Sequence, residues 1–174
     1  MILGMSVGAF TLLHVAITII AIGSGLIVVG GMLASNKLPN TTAVFLLTTA
    51  LTSVTGFLFP IHGFTPALGV GAFACVILAI AVFALYKERL EGVWRPVYVL
   101  TAVASLYLNV FVLVAQSFMK VAALNALAPT QSEPPFAITQ VVVLAIFVLL
   151  ALIAVVKFRP APAMRVVAPH AATA

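Results

Sequence analysis

Tyr86-Lys87-Glu88-Arg89-Leu90-Glu91-Gly92-Val93-Trp94-Arg95-Pro96 is a charged hinge between two long apolar runs, in a chain with only eight Lys/Arg and three Asp/Glu. Charges concentrated between apolar runs fit a turn at a membrane surface, where they keep their water while the flanking segments enter lipid. Working outward from this hinge, apolar runs occupy residues 12–34, 42–59, 66–86, 96–118 and 135–157. Each is close to the roughly 20 residues that cross a hydrocarbon core about 30 Å thick. The sequence therefore predicts an all-α polytopic membrane protein. Its membrane domain, residues 1–158, is a bundle of five transmembrane helices, and residues 159–174 form a disordered cytoplasmic tail rich in Pro and Ala.

The bases alternate from gap to gap. Lys37 lies in the first gap, Lys87, Arg89 and Arg95 in the third, and Lys157, Arg159 and Arg165 follow the last run. The second gap has none and the fourth has Lys120 alone. Short loops rich in Lys and Arg stay on the cytoplasmic side. This orients the N-terminus outside and the C-terminus inside, and points to a bacterial inner membrane.

Composition excludes other classes. With 64% hydrophobic and 6% charged residues, the chain falls far below the ~25% charged of soluble domains. A net charge of +5 could suit nucleic acid, but the bases flank apolar runs and read as topology signals facing anionic headgroups. Cys75 is alone, which removes disulfides and thiolate metal cages. The first run is too long, and lacks the preceding positive charge, for a cleavable signal peptide.

Local signals set the boundaries. Asn36, Pro39 and Asn40 make a turn, with Asn40 or Thr41 expected to cap the second helix. Thr65-Pro66, Pro96 and Pro134-Pro135 start the later ones. Tyr86, Trp94 and Tyr98 are expected at the inner interface. Gly23, Gly25, Gly30 and Gly31, with Gly69, Gly71, Ala72, Ala74 and Cys75, read as close-packing positions within the bundle or in a homo-oligomer.

Few polar residues fall inside the runs, and no carboxylate does. A carboxylate proton relay has no basis here. His14 and Thr18 share a helix face near the outer end of the first run. His62 lies in the outer turn Pro60-Ile61-His62-Gly63-Phe64-Thr65-Pro66. Thr48, Thr52 and Thr55 form a hydroxyl stripe on the second run, read as packing glue. On the fourth run, Asn109, Gln116 and Lys120 follow an i, i+7, i+11 spacing that climbs to the outer surface. An unpaired amide at mid-membrane costs several kcal/mol, roughly 2–7, so Asn109 must face another helix or water. The stretch from Met119 to Phe136 reads as a cover, in which Lys120 and Glu133 could pair.

The runs Thr55-Gly56-Phe57-Leu58-Phe59-Pro60, Leu108-Asn109-Val110-Phe111-Val112 and Ala128-Pro129-Thr130-Gln131-Ser132-Glu133-Pro134-Pro135-Phe136 resemble segments of small bacterial inner-membrane proteins. The resemblance spans nearly the whole chain and brings no activity or ligand residue with it.

Function is read as non-enzymatic: small-solute binding or transport, or an accessory subunit, with a polar pocket open to the periplasm. His14, Thr18, His62, Asn109, Gln116 and Lys120 are its expected lining. No cofactor is required. A competing reading is a redox subunit holding haem or copper through His14 and His62. A third is a scaffold for a larger membrane complex. The expected partners are the bilayer and a membrane complex, with no nucleic acid.

Overall fold

The computed structural model describes residues 1–60, 63 and 66–160. Every regular element among them is helical: α1 (Val7–Leu33), α2 (Pro39–Phe57), α3 (Pro66–Val82), a π-helical turn (Phe83–Lys87), α4 (Trp94–Lys120), α5 (Ala122–Leu127) and α6 (Pro134–Lys157). Four segments are long and apolar enough to cross a membrane: Val7–Leu33, Leu68–Lys87, Trp94–Lys120 and Pro134–Lys157. The second predicted span forms a helix of 19 residues, about 28 Å long at 1.5 Å per residue. It is missing from those four because Asn40 and its many Thr and Ser residues dilute its apolar character.

The outward faces suit lipid. Leu12, Ile19 and Ile27 on α1 and Val141, Leu149 and Val156 on α6 are all largely exposed. Such a surface would aggregate in water. Inside, α4 is the hub, packed against α1, α3 and α6 and touching α2. Its inward side carries Tyr98, Val99, Ala102 and Leu106.

Several helix ends differ from the sequence expectation. Ser6 caps α1 by accepting a hydrogen bond from the Ala9 amide at 3.2 Å, which starts the helix five residues before the predicted span. Neither Asn40 nor Thr41 caps α2. The cap is Leu38, in the left-handed region at φ 44°. Gly31 explains this choice, because a Cβ there would come within 2.6 Å of the Leu38 side chain. The packed leucine holds the turn, and Thr42 Oγ1 donates to the Lys37 carbonyl at 3.0 Å. Pro66 and Pro134 do open their helices, whereas α4 begins at Trp94, two residues before Pro96.

Tyr98 is also placed differently. It is 2% exposed and packs against Phe158 with ring centroids 6.2 Å apart. Position 98 lies at the basic end but on the face of α4 that meets its neighbours, so the ring packs into the bundle instead of facing headgroups.

Three contacts fix which ends lie together. The Arg159 amide donates to Ser35 Oγ at 2.9 Å, Tyr98 meets Phe158, and Phe83 meets Trp94 at 5.2 Å. Lys37, Lys87, Arg89, Arg95, Lys157 and Arg159 therefore gather at one end of the bundle. Lys120 stands at the other, close enough to His14 for its charge to act on the imidazole. The bases are segregated in space as they are in sequence. Of the predicted disordered tail, only Arg159 and Pro160 are described, and residues 161–174 lie outside the described residues.

Candidate functional site

His14 occupies the second turn of α1 and meets α2 through a short bond, with Nδ1 2.7 Å from Thr55 Oγ1. The Thr55 hydroxyl has one proton, and it donates this to the Leu51 carbonyl at 2.7 Å. Thr55 therefore accepts from His14. That network assigns the proton to Nδ1 and leaves the lone pair on Nε2. The ring is held edge-on by Phe59, centroids 5.3 Å apart and planes at 89°, and Phe59 is backed by Phe10 at 5.1 Å. Gly56 lies beside the ring, where a Cβ would make an ordinary contact with His14 Cε1 at 3.8 Å. Nε2 has no hydrogen-bond partner among the described residues.

One turn along α1, Thr18 Oγ1 donates to the His14 carbonyl at 2.8 Å and lies 3.4 Å from Thr52 Oγ1. Still deeper, Asn109 Nδ2 donates to Thr49 Oγ1 at 3.3 Å. Both residues are buried, at 7% and 1% exposure, so the amide does face another helix. Ser105, one turn before Asn109, is equally buried, and its hydroxyl has no partner among the described residues. The polar groups form a seam where α1 and α4 meet α2. Each such bond contributes about 0.6 kcal/mol inside a membrane, so the seam aligns helices more than it stabilises them.

The structure thus brings His14 and Thr18 together and sets Lys120 at the same end. Asn109 joins the seam through α2. Gln116 lies half-buried between Asn109 and Lys120, with no hydrogen bond to the described residues. His62 lies outside the described residues. Among those described, no three His, Cys, Asp or Glu converge.

Thr49 was missed as the partner of Asn109, while Thr48 makes the i−4 bond expected of packing glue. Thr48 donates to the Val44 carbonyl of its own helix at 2.7 Å. The inward hydroxyls are Thr49, Thr52 and Thr55, an i, i+3, i+6 row. Asn109's need for a partner at mid-depth was the signal that could have selected Thr49.

The best-formed concavities among the described residues lie away from His14. One is bounded by Ser35, Asn36, Lys37, Leu38, Pro39 and Pro160, the other by Val76, Ala79, Ile80, Phe83 and Trp94. At His14 the polar atoms mostly satisfy one another, and among the described residues the open valence is Nε2.

The cover is tied down by side-chain amides: Gln131 Nε2 to the Ala115 carbonyl at 2.7 Å and Asn125 Nδ2 to the Phe118 carbonyl at 3.2 Å. Glu133 does not pair with Lys120. Its carboxylate accepts from Thr130 Oγ1 at 2.9 Å, the Thr130 amide at 3.2 Å and the Ser132 amide at 3.1 Å. Desolvation is the largest single influence on the Glu133 pKa and raises it, but these bonds together outweigh it and hold the carboxyl below the usual carboxylate range. A depressed folded pKa gives stabilisation that is full above the unfolded value and is lost as pH falls through the folded value. Amide-exchange protection at Thr130 and Ser132 should therefore hold at neutral pH and disappear in acid, relative to intrinsic exchange. Glu133→Ala, which has no side-chain acceptor, should show that loss at every pH.

No protein family, curated protein or solved structure matches this chain.

Proposed function

We propose that this chain is a non-enzymatic, five-span protein of a bacterial inner membrane, N-terminus outside and C-terminus inside, that binds a small hydrogen-bonding solute from the outer side at His14. The observation that carries this is the His14 ring. Thr55 and Phe59 position it, its Nδ1 is committed, and Nε2 has no partner among the described residues. Segregation of the bases supports the orientation, because six of them gather at the end opposite Lys120 and the basic end stays cytoplasmic. With α2 packed against α1 and α3, a fifth span is the simplest way to keep that alternation.

A ligand here would donate to Nε2 and be neutral or weakly anionic, with Lys120 nearby. Thr18 and Gln116 offer further polar groups on the same side. Two measurements test this. Diethyl pyrocarbonate applied to sealed right-side-out vesicles should carbethoxylate His14, read by peptide mass mapping. Labelling of His14 only after the vesicles are opened would reverse the orientation. Thermal unfolding of the purified protein against a panel of small amides and polyols should reveal a solute that stabilises wild type and not His14→Ala. At a hundredfold excess over Kd the gain is about 2.7 kcal/mol. Equal stabilisation of both proteins by every member of the panel would sink the reading.

A further inference from the structure

The charged hinge has a feature that orientation alone does not use. Val76, Ala79, Ile80 and Phe83 line one side of a shallow, open apolar cleft, and Trp94 borders it from α4. Their i, i+3, i+4, i+7 spacing makes a continuous strip along α3 toward the hinge. Phe83 and Trp94 meet edge-on at 5.2 Å and 64°. An indole prefers headgroup depth, so the cleft opens at the hinge end and runs from there into the hydrocarbon.

The hinge at that mouth is shaped by its backbone. The π-helical turn Phe83–Lys87 is closed by the Glu88 amide on the Phe83 carbonyl at 3.1 Å, and the Leu90 amide reaches the Ala84 carbonyl at 3.1 Å. Arg89 and Leu90 adopt left-handed conformations, φ 53° and 64°. No ion pair contributes. Lys87 and Arg89 are exposed and form none with Glu88 or Glu91 among the described residues. Arg95, beside Trp94, keeps a buried Nε without a partner. Three bases against two acids leave the mouth positive, with its cationic heads uncommitted.

We propose that this cleft binds an anionic phospholipid, one acyl chain lying along Val76, Ile80 and Phe83 and the phosphate held by Lys87 and Arg89. An apolar strip ending in uncommitted bases is complementary to a negatively charged headgroup on a hydrocarbon chain. A zwitterionic lipid would fill the strip equally well and gain less at the mouth. The site is separate from His14 and stands or falls independently of it.

Trp94 is the chain's single tryptophan and reports on the cleft directly. The full-length protein is reconstituted in phosphatidylcholine vesicles containing increasing amounts of either brominated-chain phosphatidylglycerol or brominated-chain phosphatidylcholine. Half-maximal quenching of Trp94 should need about fivefold less of the brominated phosphatidylglycerol, a factor corresponding to one effective basic contact at ~1 kcal/mol. Lys87→Gln with Arg89→Gln should bring the ratio close to one, whereas Lys87→Arg with Arg89→Lys should preserve it. Lys37→Gln with Lys157→Gln removes the same charge from the same end, away from the cleft, and should also preserve it. Equal quenching by the two lipids in wild type overturns the proposal, as does equal loss of preference in the Lys37/Lys157 variant. Abolition of the preference by millimolar inorganic phosphate would make this a free-phosphate site and also overturn it.

Discussion

Gly25→Val should destabilise the bundle by about 3 kcal/mol, at the upper end of the range for overpacking a close-packed interior. A Cβ on residue 25 would lie 2.6 Å from Leu106 Cδ1 and 2.8 Å from Phe45 Cε2. Real carbon atoms do not approach that closely, so something must move. Neither neighbour has room, because Leu106 is 0% and Phe45 1% exposed, and the two belong to different helices. The strain falls at the junction of α1, α2 and α4, the same junction that aligns the polar seam. Gly23→Val on the same helix is the control. Nothing lies within 4 Å of the position its Cβ would take, so that variant should unfold near wild type. Unfolding of purified protein in detergent, followed by loss of the monodisperse peak on heating, compares the two. Equal losses for both would show that helix propensity, and not the Phe45–Leu106 contact, sets the cost of changing these glycines.

The glycine result also marks what the sequence could and could not convey. Helix ends were largely legible, because Pro66, Pro134 and the charged hinge around Lys87 act locally. Small residues were legible as a class, but not which of them matter. Gly25 and Gly31 sit in tight contacts, whereas Gly23 and Gly30 face open space. The reason is the solvent. In water an amphipathic period marks a helix's buried face. In lipid both faces are apolar, and small or polar residues must indicate it instead. Tyr98 and Thr49 are cases in point. Both lie on inward faces that only the packing of α4 against its neighbours defines. Leu38 was illegible for another reason, since its left-handed cap depends on a contact with Gly31. His14 was legible as a candidate, but Thr55 as its anchor required the register of α1 against α2.

Phe45→Ala should cost about 2–3 kcal/mol, and part of that should return when Gly25→Ala is added. In a water-soluble core, Phe→Ala costs about 3–5 kcal/mol as a transfer term plus a cavity term. Lipid provides little transfer term, because the unfolded reference within a bilayer is already apolar. The cavity and the lost dispersion contacts remain, hence the lower figure. The ring of Phe45 lies 2.8 Å from where a Cβ on residue 25 would stand. Removing the ring therefore opens one side of the volume that a methyl on residue 25 needs and leaves Leu106 Cδ1, at 2.6 Å, as the atom that must adjust. Gly25→Ala alone should overpack, Phe45→Ala alone should leave a void, and the double variant should be more stable than the sum of the singles predicts. A coupling of about 1–2 kcal/mol lies within the range for residues in contact, and a double-mutant cycle on thermal unfolding measures it. Additive losses would mean that α1 and α2 separate to relieve each change independently. The polar seam would then part with them, and the bond between His14 and Thr55, which depends on the same register, would weaken in both single variants.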